Sequence, residues 1–251
     1  MALPEMALAA LEMALAALEM ALAALEMVLA RLLVLGGFAA AQWLSVRLCN
    51  PPWASPVLVA ALGLGLGLAA TGVPLARFEA AAMPLRWLLG PALVALALVI
   101  HGNLSLLRRA PLPVLLAVTG GMVTGVASAW GLALVFGLDR IWVLAVTTKT
   151  VSTPFAVVIA RMGGASVSLA AAVAVLTGVI GAVSVPWLFD RLGIGGRAAR
   201  GLGLGVSSHL VGTDWLTRRD PTSGAFAALA MVLAGVFAAL LLPMLWPLLF
   251  Q

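Results

Sequence analysis

Residues 166–189 read SVSLAAAVAVLTGVIGAVSVPWLF, a stretch without a charged side chain. A membrane-spanning helix needs about 20 mostly apolar residues, so this stretch predicts a helix that crosses a bilayer. Comparable apolar stretches lie at about residues 28–46, 56–74, 86–104, 112–137, 141–160, 200–213 and 224–249. The sequence therefore predicts an all-α integral membrane protein, a polytopic helical bundle with about seven to eight hydrophobic segments.

The composition supports this class. Hydrophobic residues make up 64% of the chain and charged residues 9%, against about 45–50% and about 25% in soluble domains. The arginines fall singly or in short groups between the apolar stretches, which suits loops that meet lipid headgroups. This placement argues against nucleic-acid binding. It predicts a multi-pass protein of the cell (inner or plasma) membrane, whose main partner is the lipid bilayer.

The first part of the chain is a repeat. Residues 6–26 are three copies of the heptad MALAALE, and every residue type in it favours helix. We expect residues 1–27 to form a dispensable helical extension that continues into the first span, and residues 28–251 to form the polytopic membrane domain. The alternative is that the strict heptad serves as an oligomerisation helix. Homo-oligomer formation therefore stays open.

A polar interruption divides the apolar stretch 141–160. Residues 147–154 read TTKTVSTP, with a lysine, five hydroxyl side chains and a proline. A lysine at bilayer depth is costly, and proline disfavours helix at the residue before it. The pattern predicts a discontinuous or re-entrant helix whose break faces a cavity. The alternative is a lysine that reaches the membrane surface from an unbroken helix. The candidate binding residues are Lys149, Thr150, Ser152, Thr153 and Pro154.

A second interruption occupies residues 201–214, GLGLGVSSHLVGTD, in a segment too short and too glycine-rich to cross alone. It predicts a second discontinuous or re-entrant segment. Its candidate binding residues are Ser207, Ser208, His209, Gly212 and Thr213. His209 and Asp214 are candidate proton-coupling residues, because an imidazole titrates near neutral pH; the alternative for His209 is a cavity-lining role. The sequence shows no metal-ligand spacing, cofactor motif or catalytic pair, so we predict neither a metal site nor an enzyme.

Three stretches resemble the LrgB/CidB family of bacterial membrane proteins. They are LLGPALVALA at residues 88–97, KTVSTPFA at residues 149–156, and the block that runs from Ala199-Arg200-Gly201 through Ser208-His209 to Gly212-Thr213. The resemblance covers about residues 28–251 and leaves the heptad repeat outside it. Departures from the family pattern stand at Val99, His101, Thr148 and Asp214.

The resemblance implies two functions. One is transport of a small organic anion, such as a pyruvate- or glycolate-like monocarboxylate, together with a small LrgA/CidA-like membrane partner. The other is a holin/antiholin-like role that regulates murein hydrolase export and autolysis. The buried lysine, the proline and the histidine favour transport, because a pore-former needs little beyond packing faces.

Overall fold

The computed structural model describes the backbone of residues 2–249 and most side chains from residue 13 to residue 246. These residues form helices joined by short turns, with no strand among them. The α-helices are α1 Ala2–Arg47, α2 Pro56–Thr71, α3 Leu75–Arg86, α4 Leu89–Gly102, α5 Leu104–Arg109, α6 Pro111–Val135, α7 Arg140–Thr147, α8 Thr153–Met162, α9 Val167–Arg191, α10 Arg197–Thr217 and α11 Pro221–Leu249. Two short 3₁₀ turns lie at Pro52–Ala54 and Thr148–Thr150.

The heptad repeat and the first apolar stretch form one continuous helix, α1, as the sequence predicts. The charged region from Arg77 to Arg86 is different. It lies between the apolar stretches 56–74 and 86–104, a position that predicts a loop, but it forms helix α3. The charges do not break this helix, because apart from Pro84 near its end most of its other residues are good helix formers. Trp87 and Leu88 then separate α3 from α4, and the chain bends by 46° between these two helices.

Three helices within the described chain are long and apolar enough to cross a membrane: α6, α9 and residues 221–246 of α11. The bent pair α3–α4 raises this number to four if it counts as one span. Helices α2 and α8 are apolar but shorter. The protein is therefore an all-helical membrane protein. The expected count of seven to eight hydrophobic segments is not confirmed.

The long helices define two ends of the bundle. We call the end at which α11 begins the first end, and the end at which it finishes the second end. Helix α8 runs in the same direction as α11, because Phe155 packs on Gly235 near the middle and Trp246 packs on Gly163 near the second end. Helix α9 then returns, and Phe189 near its end packs on Gly203 of α10.

Helix α10 is a hairpin, because its two ends meet. Nε of Arg197 lies 3.3 Å from Oδ2 of Asp220, although a straight helix between these residues would separate them by about 35 Å. Gly201 and Thr217 both pack against the start of α11, at Phe226 and at Gly224. The arms are residues 197–208 and 210–217, joined at His209, the one residue inside α10 with non-helical backbone angles. The α10 hairpin enters from the first end and turns back, as the prediction of a re-entrant segment requires.

Helices α7 and α8 form a second hairpin with the opposite direction. Helix α6 starts at the first end and packs on α10 through Gly121 and on Thr150 through Gly125, so it finishes at the second end, where α7 begins. The chain then turns at residues 148–152, and α8 leads back to the second end. With 8 and 10 residues, the arms measure about 12 and 15 Å, about half of a bilayer core.

Candidate functional site

Hydroxyl side chains help the chain to turn at the tip of the α7–α8 hairpin. The hydroxyls of Thr147 and Thr148 donate to the carbonyls of Leu144 and Ala145 at 2.8 and 2.7 Å, and thereby satisfy backbone acceptors at the end of α7. Val151 is extended, at φ −128° and ψ 160°. Pro154 lies in the first turn of α8, where its missing N–H costs nothing. The predicted break in segment 141–160 is therefore present.

Lys149 occupies this tip and is the single lysine of the chain. Its side chain is half-buried and lines a cavity. Among the residues whose side chains are described, Lys149 forms no ion pair with a carboxylate. A half-buried ammonium without a counter-charge is expensive for folding alone. An anion in the cavity would offset that cost.

The tip of the α10 hairpin is formed by Ser207, Ser208 and His209. His209 has φ 45° and ψ −129°, a conformation that strongly favours glycine and is strained for a side chain with a Cβ. The two serine hydroxyls lie 3.2 Å apart. Gly178 and Gly181 of α9 face Ser208 so closely that a Cβ on either glycine would press on that serine. The small residues of α9 therefore let the tip reach the middle of the bundle.

The two tips meet there. The 3₁₀ turn Thr148–Thr150 contacts α10 as well as α6, α9 and α11. The imidazole of His209 lies against the backbone of Thr150 and close to Lys149. Hairpins that enter from opposite ends thus touch through the two segments that the sequence singles out.

A cavity of about 580 Å³ leads to these tips. Its far wall is Lys149 and Thr150, and Ala199 and Ala117 lie toward the first end of the bundle. The wall is otherwise made of small or apolar side chains with few hydroxyls. The lining residues are Ala117, Gly120, Gly121, Thr124, Gly125, Lys149, Thr150, Thr177, Ala199, Leu202, Gly203, Val206 and Ser207.

Four buried polar atoms at or near the two tips have no hydrogen-bond partner among the described residues: Oγ1 of Thr150, Oγ of Ser152, Nε2 of His209 and Oγ1 of Thr213. Of these four residues, only Thr150 lines the cavity. Each such atom costs about 1–3 kcal/mol unless a ligand or water satisfies it. Buried polar atoms without partners are rare in folded proteins. Their concentration at the meeting point of two hairpin tips fits a site that receives a polar ligand.

The other predicted site residues take different positions. Thr153 and Pro154 form the first turn of α8, and Gly212 packs on Ser208 with no room for a side chain. Asp214 lies outside the cavity, where its carboxylate accepts from Nε of Arg218 at 3.0 Å. The structure therefore does not bring Asp214 to His209, although both were candidate proton-coupling residues.

The wall contributed by α6 is the part of the site that the sequence analysis missed. A Cβ at Gly125 would overlap the methyl group of Thr150 and lie 4.0 Å from Nζ of Lys149. Thr124 and Thr177 also face the cavity. The signal available in the sequence is the GxxxG spacing of Gly121 and Gly125, which lets helix backbones approach closely. Among the described residues, no group of His, Cys, Asp and Glu could hold a metal ion.

Comparison with known proteins identifies relatives. A Haemophilus influenzae protein is 27% identical over 212 residues, which cover 83% of this chain and 91% of that protein. The holin-like protein CidB of Staphylococcus epidermidis is 23% identical over 196 residues, 78% of this chain and 86% of CidB. The plastidal glycolate/glycerate translocator 1 of Arabidopsis thaliana is 33% identical over 127 residues, 49% of this chain and 25% of the translocator. No solved structure matches the chain.

The model of the LrgB-like family matches residues 34–248, a range that contains both hairpins and the cavity. This match confirms the resemblance seen in the sequence motifs. The LrgB/CidB proteins and their transporter-like relatives are non-enzymatic membrane proteins, so this chain is a membrane protein and not an enzyme. The chain belongs to the LrgB-like family.

Proposed function

We propose that this protein carries a small organic anion across the membrane. The observation that supports the proposal is the meeting of two oppositely directed helical hairpins at a cavity that contains the chain's single lysine. Secondary transporters commonly place their substrate near mid-membrane, between discontinuous helices of inverted orientation. A protein that only forms a pore or regulates another protein has no need of such a site.

The charges at the two tips favour an anion. Lys149 supplies a full positive charge. Helix α8 begins at one tip and the second arm of α10, residues 210–217, begins at the other. Helix N-termini carry partial positive charge and free N–H groups. The hydroxyls of Thr150 and Ser207, which line the cavity, would complete the set of ligands, whereas Ser152, Ser208 and Thr213 do not line it.

A monocarboxylate fits the number of charges. Among the described residues, Lys149 is the one cationic side chain on the cavity wall, so a dianion would leave one negative charge without a cationic side chain there. The plastidal relative is named for glycolate and glycerate, which are small monocarboxylates. We propose a pyruvate- or glycolate-like substrate, a location in the bacterial inner membrane and an LrgA/CidA-like membrane protein as partner.

Uptake into proteoliposomes tests the proposal. Purified protein, alone and with its LrgA/CidA-like partner, is reconstituted, and entry of labelled glycolate or pyruvate is measured. We expect Lys149→Ala to reduce uptake about 10- to 100-fold, the loss that follows when a hydrogen bond to a charged group disappears. Lys149→Arg should retain part of the activity, because the charge remains.

Thr119→Val is the matched control for this experiment. Thr119 lies on α6 near the cavity, but its hydroxyl donates to the carbonyl of Leu115 at 2.7 Å and does not face the cavity. The Thr119→Val protein should take up the labelled anion at the normal rate. Full uptake by Lys149→Ala, with the protein present in the membrane in normal amount, would contradict the proposal.

The name of the CidB relatives supports a second candidate, a holin-like regulator of murein hydrolase export and autolysis. This role predicts altered autolysis in a strain that lacks the protein, whichever carboxylate the medium supplies. It also predicts that the Lys149→Ala protein restores normal autolysis. The carrier proposal predicts the opposite result. If the change in autolysis comes from carboxylate accumulation, the Lys149→Ala protein fails to restore normal autolysis.

A further inference from the structure

Among the described residues, the cavity extends from the site toward the first end of the bundle. The cavity walls extend from the first end to Thr150. On the opposite side of the tip, between the site and the second end, the side chains are fully packed. This barrier contains Val151 and Ala156 at the α7–α8 tip together with Ala174 and Leu242. A carrier must expose its site to each side in turn, so this barrier has to open.

His209 stands where the two hairpins touch. Its side chain is 3% exposed and it does not line the cavity, so it is poorly placed to bind the substrate directly. Its ring lies against the backbone of Thr150, across the boundary between the hairpins. Its backbone has a positive φ that only surrounding contacts can maintain in a residue other than glycine. One residue therefore combines a strained turn with a contact between the two tips.

We propose that His209 is a positioning residue that latches the tip of the α10 hairpin to the tip of the α7–α8 hairpin and thereby keeps the second end closed. When the contact with Thr150 is lost, the α7–α8 tip is free to withdraw from α10, and the packed barrier opens. This inference rests on the proposed carrier function. It gives His209 a role that differs from proton coupling.

Thiol labelling tests the latch without measuring transport. The native cysteine is removed by Cys49→Ser, and one of two reporters is added. Ala199→Cys lies on the cavity wall toward the first end. Ala174→Cys lies in the packed barrier, where Ala174 is 2% exposed. Each reporter is combined with His209 or with His209→Gly, which removes the ring and relaxes the backbone. A membrane-impermeant maleimide is applied to right-side-out and to inside-out vesicles.

The latch predicts a side-specific result. Ala199→Cys should be labelled from one side at the same rate with His209 and with glycine. Ala174→Cys should be protected when His209 is present. In the His209→Gly protein, its labelling should become about fivefold faster, the factor that corresponds to a lost polar contact of about 1 kcal/mol, and only from the side opposite to the one that labels Ala199→Cys. His209→Asn, whose amide keeps a polar group at the tip, should restore part of the protection.

Three outcomes would overturn the latch. The first is that Ala174→Cys stays protected in the His209→Gly protein, the second is labelling from the same side as Ala199→Cys, and the third is labelling that is already fast with His209 present. Normal labelling of Ala199→Cys shows that the glycine variant is folded. If that variant is absent from the membrane, the asparagine variant is compared with the wild type in the same way. The Lys149→Ala uptake experiment is independent of these results, so the carrier proposal and the latch can fail separately.

Discussion

Variants of two threonines at the α7–α8 tip can test a role in folding separately from a role in substrate binding. Thr148 and Thr150 are both buried, but the hydroxyl of Thr148 donates to the carbonyl of Ala145 whereas that of Thr150 has no partner in the described part of the chain. We expect Thr150→Val to weaken substrate binding, with a rise in KM of about 5- to 10-fold, because one hydrogen bond to the ligand is lost. Its thermal stability should stay unchanged or rise, since the variant removes an unsatisfied buried polar atom.

Thr148→Val is the matched comparison. It loses an existing hydrogen bond, so it should lower the free energy of unfolding by about 1 kcal/mol and leave KM unchanged. The two quantities are measured by thermal unfolding in detergent and by the concentration dependence of uptake. A drop in stability for Thr150→Val without a change in KM would mean that its hydroxyl serves the fold and not a ligand.

At the scale of residues, the sequence predicts the chemistry of the tips and misses their backbone geometry. A lysine, hydroxyls and a proline within an apolar segment stand out, because each is costly in lipid. Lys149, Thr150 and Ser207 accordingly line the cavity. The positive φ of His209 has no such signal, since histidine rarely adopts it and no glycine or asparagine marks the turn. Its conformation depends on tertiary contacts, which no local pattern of residues encodes.

At the scale of elements, close packing of α6 against the α7–α8 tip requires glycine at position 125. A methyl group there would overlap the methyl of Thr150, and the backbone of the tip cannot move away without disturbing the site. We expect Gly125→Ala to destabilise the protein by about 1–3 kcal/mol and to reduce uptake strongly. Uptake assays and thermal unfolding of the same preparation measure both effects.

Gly131 of α6 provides the control, because a Cβ there meets no atom within 4 Å. Gly131→Ala should leave uptake intact and raise stability by up to about 1 kcal/mol, the difference in helix propensity between the two residues. Equal behaviour of the two variants would show that the contact between Gly125 and Thr150 is unimportant.

The heptad extension makes few demands on the rest of the chain. Its clearest link to another element is the ion pair of Glu26 with Arg77, which is largely exposed to solvent; such pairs contribute at most about 1 kcal/mol. We expect a protein that starts at Met27 to insert, to unfold within a few degrees of the full chain and to transport at the same rate. Loss of uptake by an inserted, stable protein would instead favour the role as an oligomerisation helix.

Some of the helices can be predicted from the sequence and others cannot. The long apolar spans and the continuation of the heptad helix into the first span follow from composition and period. Helix α3 does not, because arginines and a glutamate between apolar segments also suit a loop. The reversal of α10 is legible only as a segment too short to cross, since the contacts that fold it back, such as Arg197 with Asp220, join residues at opposite ends of the segment.

At the scale of the whole molecule, the opposite entry of the two hairpins is the arrangement from which the carrier proposal and the latch both follow, and chemical labelling can test it. Cys49 is exposed beside Asn50, which lines a cavity of about 210 Å³ with Asp214 and Arg218 at the base of the α10 hairpin. Leu138 lies in the turn between α6 and α7, at the base of the other hairpin.

An impermeant maleimide should therefore label Cys49 of the native chain from one side of the membrane. In the protein with Cys49→Ser, we expect Arg219→Cys to be labelled from that same side and Leu138→Cys from the opposite side, because the turns at the two hairpin bases face different aqueous compartments. Labelling of all three from one side would place both hairpins on one face. Alternating exposure of the lysine site by these two hairpins would then have no structural basis, even if Lys149→Ala abolished uptake.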